Sequence, residues 1–274
     1  MTPPTSAPSR RAALRAGVGT GAVFFLSGAF FGTWASRVPA LRDQTDASES
    51  QLGQVLLVMG IGSLLSMPFT GRACTRYGAR RVVLVMAIVS GAGLIAAGSA
   101  GSVAMLAASL FLYGFAYGSW DVAMNVHGHA AETLAGRPWM PRYHAMWSIG
   151  GMAGSAVGAL FALAGVSPGV QFSVVVPVSL VLRAIALTTF VDDRLVHADR
   201  AAAGSLRPAT DHVHRHRRGV LSWRLAAIGT VTLCGVVAEG AAGDWLALLL
   251  IDDRGIDPGA AATGYTVFAF AMAA

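Results

Sequence analysis

Long stretches with few or no charged residues dominate the pattern of hydrophobic and polar positions along the chain. A membrane-spanning helix rises about 1.5 Å per residue and needs about 20 mostly apolar residues to cross about 30 Å of hydrocarbon. Seven stretches approach that length, and an eighth begins shortly before the last residue. The predicted spans are residues 17–35, 52–69, 82–98, 103–125, 145–166, 170–191, 225–250 and 260–274.

The spans divide the chain into four predicted parts. Residues 1–16 form a cytoplasmic N-terminus, 17–191 a six-helix bundle, 192–224 a cytoplasmic linker and 225–274 the start of a second bundle. The last of these parts ends inside its second helix. The predicted fold is therefore an all-α integral membrane protein.

Composition excludes a soluble globular protein, which has about 25% charged residues. This chain has 12% charged and 54% hydrophobic residues, so most of its surface must contact a lipid bilayer. The two cysteines, Cys74 and Cys234, are too few for a disulfide framework.

The distribution of arginine predicts the orientation of the chain. All 20 basic residues are arginine, and they outnumber the 14 carboxylates. Basic segments stay in the cytoplasm, whereas only Arg37, Arg42 and Arg254 fall on the opposite side, which is acidic. We expect a multi-pass protein of a bacterial inner membrane with a cytoplasmic N-terminus. Sixteen arginines lie in segments 10–15, 72–81, 137–142 and 194–224.

The basic segments also permit other interpretations, which we weigh as weaker. Arg10 and Arg11 before an apolar stretch are typical of a twin-arginine export signal, but no small-residue cleavage site follows, which favours an uncleaved helix. Alternating His212, His214 and His216 suit a metal ion, yet the neighbouring guanidinium groups repel one, so we predict no metal. Aromatic residues do not interleave the arginines, so we predict no nucleic acid binding.

A weak internal repeat indicates that the protein is built from two similar halves. Shifting the chain by 211 residues aligns four identical pairs, and by the same offset a complete second half would end about 130 residues beyond Ala274. The aligned pairs are Gly32 with Gly243, Trp34 with Trp245, Asp46 with Asp257 and Gly53 with Gly264.

The loop after the second predicted span resembles the signature Gly-x-Leu-x-Asp-Arg-x-Gly-Arg-Arg of the major facilitator superfamily. Thr75 stands where the family has Asp, and Ala79 where it often has Arg. The family uses that Asp to latch the cytoplasmic ends of its two halves, so the latch is expected to be altered here. An ordinary basic loop with a glycine turn is the alternative. The matching residues of this cytoplasmic gating motif are Gly71, Arg76, Gly78, Arg80 and Arg81.

Three further segments resemble helices one, four and five of the fucose-permease-like branch, which contains sugar and proton symporters. They are residues 34–43, 120–125 and 144–151. The resemblance extends over residues 17–274 and implies twelve helices in two six-helix halves around a central cavity. This chain would supply the first half, helix seven and part of helix eight.

Rare polar residues inside the spans are the candidates for substrate binding or proton coupling, because a charge at the bilayer centre costs about 2.5 to 3.5 kcal/mol. Asp121 and Asn125 are four residues apart and share one helix face. In the family an acidic residue occupies the position of Asp121 in the transport cavity. The alternative is that Asp121 only pairs with a loop arginine. His144 enters the fifth span and suits hydrogen bonding or proton relay, or else packs structurally.

The seventh span adds Glu239 and Asp244, which lie about 140° apart around a helix, so they cannot face one direction. Glu239 is the better cavity candidate by depth. Trp34 and Trp245 either stack on a sugar ring or lie in an interfacial aromatic belt, and we favour the belt.

Other residues are assigned outside the predicted site or left open. Arg183 is expected to extend its side chain to the membrane surface, and Arg37 to pair with an outer carboxylate or with substrate. Gly150, Gly154 and Gly158 repeat every four residues and predict a close helix contact.

These observations favour a monomeric, proton-coupled transporter of a small polar solute such as a sugar, working by alternating access. The alternatives are a drug or metabolite exporter of the same fold, or an inactive fragment of such a transporter. The sequence contains no His-Glu-x-x-His, no Gly-x-Ser-x-Gly and no phosphate-binding glycine loop, so we expect neither an enzyme nor a cofactor.

Overall fold

A computed structural model describes residues 10–190 and 223–273 of the chain. Every regular element in these ranges is a helix, so the predicted all-α class is confirmed. The helices are α1 (Arg10–Ala35), α2 (Val38–Asp43), α3 (Glu49–Tyr77), α4 (Ala79–Gly98), α5 (Val103–Ala135), α6 (Met140–Leu163), α7 (Pro168–Leu187), α8 (Trp223–Asp252), α9 (Pro258–Ala261) and α10 (Gly264–Ala273).

Within the described ranges, six helices are long and apolar enough to cross a membrane, namely α1 and α3 to α7. Several of them continue beyond the apolar stretches, because a helix can carry polar residues once it has left the hydrocarbon. The histidines of the predicted linker, His212, His214 and His216, lie outside the described residues.

The bundle is organised by two close helix pairs, α1 with α6 and α3 with α5, while α4 packs against both α5 and α7. Its core contains fully buried aromatic side chains from α1 and α5. Phe30 and Trp34 of α1 each lie beside Tyr113 of α5, with ring centroids 6.0 and 5.7 Å apart. Trp120 extends this aromatic core by one further contact, 5.4 Å from Phe30.

Glycines let α1 and α6 approach until their backbones touch. A Cβ atom on Gly150 or Gly154 would overlap a carbonyl oxygen of α1, and one on Gly28 or Gly32 would overlap a carbonyl oxygen of α6. The predicted close contact of this glycine series is therefore confirmed. Gly158, the last glycine of the series, packs closely against the side chain of Ser36.

The second part of the chain packs on another face of α6 through α9 and α10. The Thr266 hydroxyl of α10 donates to Ser155 Oγ of α6 at 2.9 Å, and Ser155 Oγ in turn lies 3.4 Å from the carbonyl oxygen of Ala262. This contact defines which side of α6 faces the second part.

Candidate functional site

Helices α1, α5 and α6 meet at the side chain of Tyr117. Its hydroxyl donates to the carbonyl oxygen of Ser27 at 3.4 Å and accepts from Trp147 Nε1 at 3.3 Å. The Phe31 ring lies beside both aromatic neighbours, with centroids 6.1 Å from Tyr117 and 5.7 Å from Trp147. We call Phe31, Tyr117 and Trp147 the aromatic wall, and all three side chains are only partly buried.

Asp121 lies one helical turn beyond Tyr117, on the same side of α5. Its side chain is half-buried, and within the described residues its carboxylate makes neither a hydrogen bond nor an ion pair. The Asn125 amide donates to the backbone oxygen of Asp121 at 2.9 Å. The structure thus brings Asp121 and Asn125 together beside the aromatic wall, and no loop arginine in residues 10–190 or 223–273 forms an ion pair with Asp121.

Arg183 of α7 lies inside the bundle, so the expectation that it reaches the membrane surface is wrong. The side chain is 0% exposed. Its guanidinium carbon lies 3.9 Å from the centroid of the Trp120 ring, and Nη2 donates to the carbonyl oxygen of Leu26 at 3.1 Å. An aromatic face stabilises a buried cation, and this contact offsets part of the hydration that the guanidinium loses inside the bundle.

Arg183 adjoins the aromatic wall through the ring of Trp120. That ring lies 3.9 Å from the Arg183 guanidinium carbon and 5.1 Å from the ring of Tyr117, measured to the ring centroids. A charged residue inside an apolar span is expensive, and Arg183 is the one charged residue of α7. That cost is the sequence signal that identifies Arg183 as a candidate functional residue.

Two histidines occupy different environments. His144 is exposed near the start of α6 and meets Phe24 edge-on, with ring centroids 5.5 Å apart. His127, which sequence reasoning did not select, is fully buried, with Nδ1 3.0 Å from the Thr20 hydroxyl and its ring stacked on Phe190. His144 is therefore the accessible one of the pair.

The tryptophans paired by the repeat are not equivalent in the structure. Trp34 is fully buried in the aromatic core, so its assignment to an interfacial belt is wrong: the residue faces α5 and not the lipid. Trp245 of α8 is 37% exposed and lies against Gly53 of α3. Glu239 and Asp244 are half-buried on α8, and neither forms an ion pair with a described residue.

An ion pair connects α2 with the distant end of α8. Arg42 Nη1 lies 2.5 Å from Asp252 Oδ2, and this hydrogen bond raises the pKa of Arg42 above its ordinary value. Arg37, expected to pair with an outer carboxylate or substrate, instead donates to the carbonyl oxygen of Val166 at 2.5 Å. Burial lowers the pKa of Arg37.

The gating motif forms the turn between α3 and α4. Gly78 ends one helix and precedes the next with φ of 83°, a conformation that favours glycine. Arg76 lies over the Tyr77 ring, 5.3 Å from its centroid, while Thr75 donates back to the Arg72 carbonyl oxygen at 2.9 Å. The Thr75 hydroxyl therefore finds its hydrogen-bond acceptor within α3. Gly71 lies within α3, and the Arg80 and Arg81 side chains are exposed at the start of α4.

The family model described as Major Facilitator Superfamily matches residues 19–274. The chain belongs to this superfamily. It is 35% identical over 255 residues to the uncharacterized transporter y4wD of Sinorhizobium fredii, covering 93% of this chain and 64% of the relative. It is 33% identical over 258 residues to an uncharacterized MFS-type transporter of Yersinia pestis, covering 93% of this chain and 62% of the relative.

Among solved structures, the nucleoside transporter NupG (D323A mutant) has the same fold, with a TM-score of 0.64 at 14% identity over 94% of this chain and 64% of that one. This chain therefore spans less than two thirds of the length of each of these three proteins. The matched family and relatives are transporters and not enzymes, as expected from the sequence.

Proposed function

We propose that this superfamily member belongs to a secondary active transporter that moves a small polar solute together with protons by alternating access. The fucose-permease-like branch is the proposed affiliation, and a sugar is the proposed substrate class. The observation that carries the proposal is the carboxylate of Asp121, which lies half-buried beside the aromatic wall without a hydrogen-bonding or ionic partner among the described residues.

The chemistry of this wall suits such a solute. A carboxylate that no cation neutralises can take up a proton when the site closes and release it when the site opens. Aromatic rings pack against the apolar face of a sugar, while polar groups at their edges bind its hydroxyls. Tyr117 and Trp147 provide the rings, and Asn125 and His144 provide polar groups on the adjoining turns.

The test is uptake into proteoliposomes that contain the full-length form of the protein. The probes are radiolabelled L-fucose and uridine. Uridine is included because this chain shares its fold with the nucleoside transporter NupG. We expect fucose to accumulate only when the outside is more acidic, and a protonophore to abolish accumulation. Equal uptake with and without the gradient would exclude proton coupling, and accumulation of uridine alone would replace the sugar assignment.

The proposed orientation predicts the accessibility of two engineered cysteines. In a background lacking Cys74 and Cys234, a cysteine at Ser48 should react with a membrane-impermeant maleimide in intact cells. A cysteine at Ala203, which lies outside the described residues, should react only after the membrane is permeabilised. Labelling of the Ala203 position in intact cells would overturn the cytoplasmic assignment of the linker.

A further inference from the structure

An apolar groove runs along the outside of the bundle between α6 and α7, with α1 as its floor. Its larger section has a volume of 1110 Å³ and a smaller section one of 330 Å³. Both sections are lined by Phe25, Leu26 and Leu182, so they form one continuous groove. Val18 projects into the larger section and is 75% exposed.

The groove faces away from the aromatic wall and from the second part of the chain. On α1, Val18 in the groove and Ser27 beside Tyr117 are nine residues apart, which places them on opposite helix faces. On α6, Met146 in the groove and Ser155 beside α10 are also nine residues apart. The groove therefore opens to the lipid and not to the proposed transport cavity.

Two arginines, Arg137 and Arg142, line one end of this otherwise apolar groove. Both side chains are exposed, and neither has an ion-pair partner in the part of the chain that the structure describes. The carboxylate of Glu132, in the same region, accepts hydrogen bonds from the backbone N–H groups of Trp139 and Met140 at 2.7 and 2.8 Å. That capping holds the start of α6 in place and leaves both guanidinium groups available to an anion.

The larger section matches one leaflet of a bilayer in length. From Leu14 to Leu26 the floor of the groove extends about 18 Å along α1, and half of the hydrocarbon core is about 15 Å. We propose that the groove binds one acyl chain of an anionic phospholipid, whose phosphate contacts Arg137 and Arg142. Guanidinium groups recognise phosphate through paired hydrogen bonds.

The linker is the competing occupant, because it follows α7 directly in the sequence. Residues 191–222 contain six arginines and four aspartates, so the segment is itself cationic. Two exposed arginines repel a segment with a net positive charge and attract an anionic headgroup, so they favour the lipid over the linker. Occupation by the linker is a distinct outcome of the experiment.

The test measures lipid retention by the purified 274-residue chain in detergent. Dioleoyl phosphatidylglycerol and dioleoyl phosphatidylcholine are added separately, and bound lipid is counted by native mass spectrometry. We expect phosphatidylglycerol to be preferred. The double variant Arg137→Gln/Arg142→Gln should lose about thirty-fold of that preference, since each arginine near a headgroup contributes a factor of about five. Val18→Trp should reduce retention of both lipids by filling the groove.

Matched variants on α4 control for charge and bulk. Arg80→Gln/Arg81→Gln removes two exposed arginines and Val85→Trp enlarges an exposed valine, all outside the groove. Both should retain the wild-type preference. Equal losses in the α4 variants, or no loss in the groove variants, would overturn the proposal.

A second measurement does not depend on any variant. Phosphatidylglycerol carrying a diazirine on its acyl chain is photolysed with the wild-type protein, and adducts are mapped by peptide mass spectrometry. We expect adducts on α1, α6 and α7 along the groove. Adducts confined to other helices, or labelling that arises only after residues 192–222 are deleted, would assign the groove to another occupant.

Discussion

Replacing Asp121 with Asn is expected to abolish proton-driven accumulation while leaving solute exchange across the membrane intact. Exchange requires a solute site but no net proton release, whereas accumulation requires a group that gains and loses a proton. The amide preserves the size of the carboxyl group, and no described ion pair is lost with it. The ratio of internal to external solute should fall to about one, since the gradient no longer contributes energy.

The matched control is Glu49→Gln, which neutralises an exposed carboxylate at the start of α3. Its accumulation ratio should equal that of the wild type in the same vesicles. Undiminished accumulation by Asp121→Asn would remove Asp121 from the coupling mechanism and direct attention to Glu239. Loss of both accumulation and exchange, in normally inserted protein, would identify Asp121 as a direct ligand of the solute.

Gly154→Ala is expected to destabilise the bundle although alanine is the better helix former. The added methyl group would overlap the Ala29 carbonyl oxygen of α1, and neither backbone can move without shifting its helix. Overpacking of this kind costs about 1 to 3 kcal/mol of the free energy of unfolding. The loss is measured by titration with sodium dodecyl sulfate, followed by circular dichroism.

Gly60→Ala is the matched control, because the same substitution is expected not to destabilise the bundle at this position. Nothing lies within 4 Å of the Cβ position of Gly60 in α3, so the substitution adds helix propensity worth about 1 kcal/mol without a clash. Gly60→Ala should therefore be neutral or stabilising. A stability of Gly154→Ala equal to that of Gly60→Ala would show that α1 and α6 do not meet through their backbones.

The sequence was sufficient for the fold class because the bilayer requires long apolar helices. It also identified the glycine series, whose period of four places every member on one side of α6. The joint position of Asp121 and Asn125 was predictable for the same reason, since it depends only on helical spacing. Each of these features is local to a single helix.

Features that depend on the rotation of a helix, or on contacts between distant segments, could not be predicted. Nothing in the apolar residues around Arg183 shows that it faces Trp120 and not the lipid. Trp34 was misassigned similarly, because a tryptophan near the end of a span fits either an aromatic belt or a core. The pairing of Arg42 with Asp252 joins residues 210 positions apart, and hydropathy contains no information about such partners.

The backbone contact between α1 and α6 has a consequence for how such proteins diversify. Gly28 and Gly154 hold the two helices together without contributing side chains, so the joint does not depend on which residues occupy the other faces. Phe31 and Trp147, on those same helices, lie in the aromatic wall. Under the proposed function, substitutions there are expected to alter solute preference while the scaffold remains unchanged, which would separate the evolution of selectivity from the maintenance of shape.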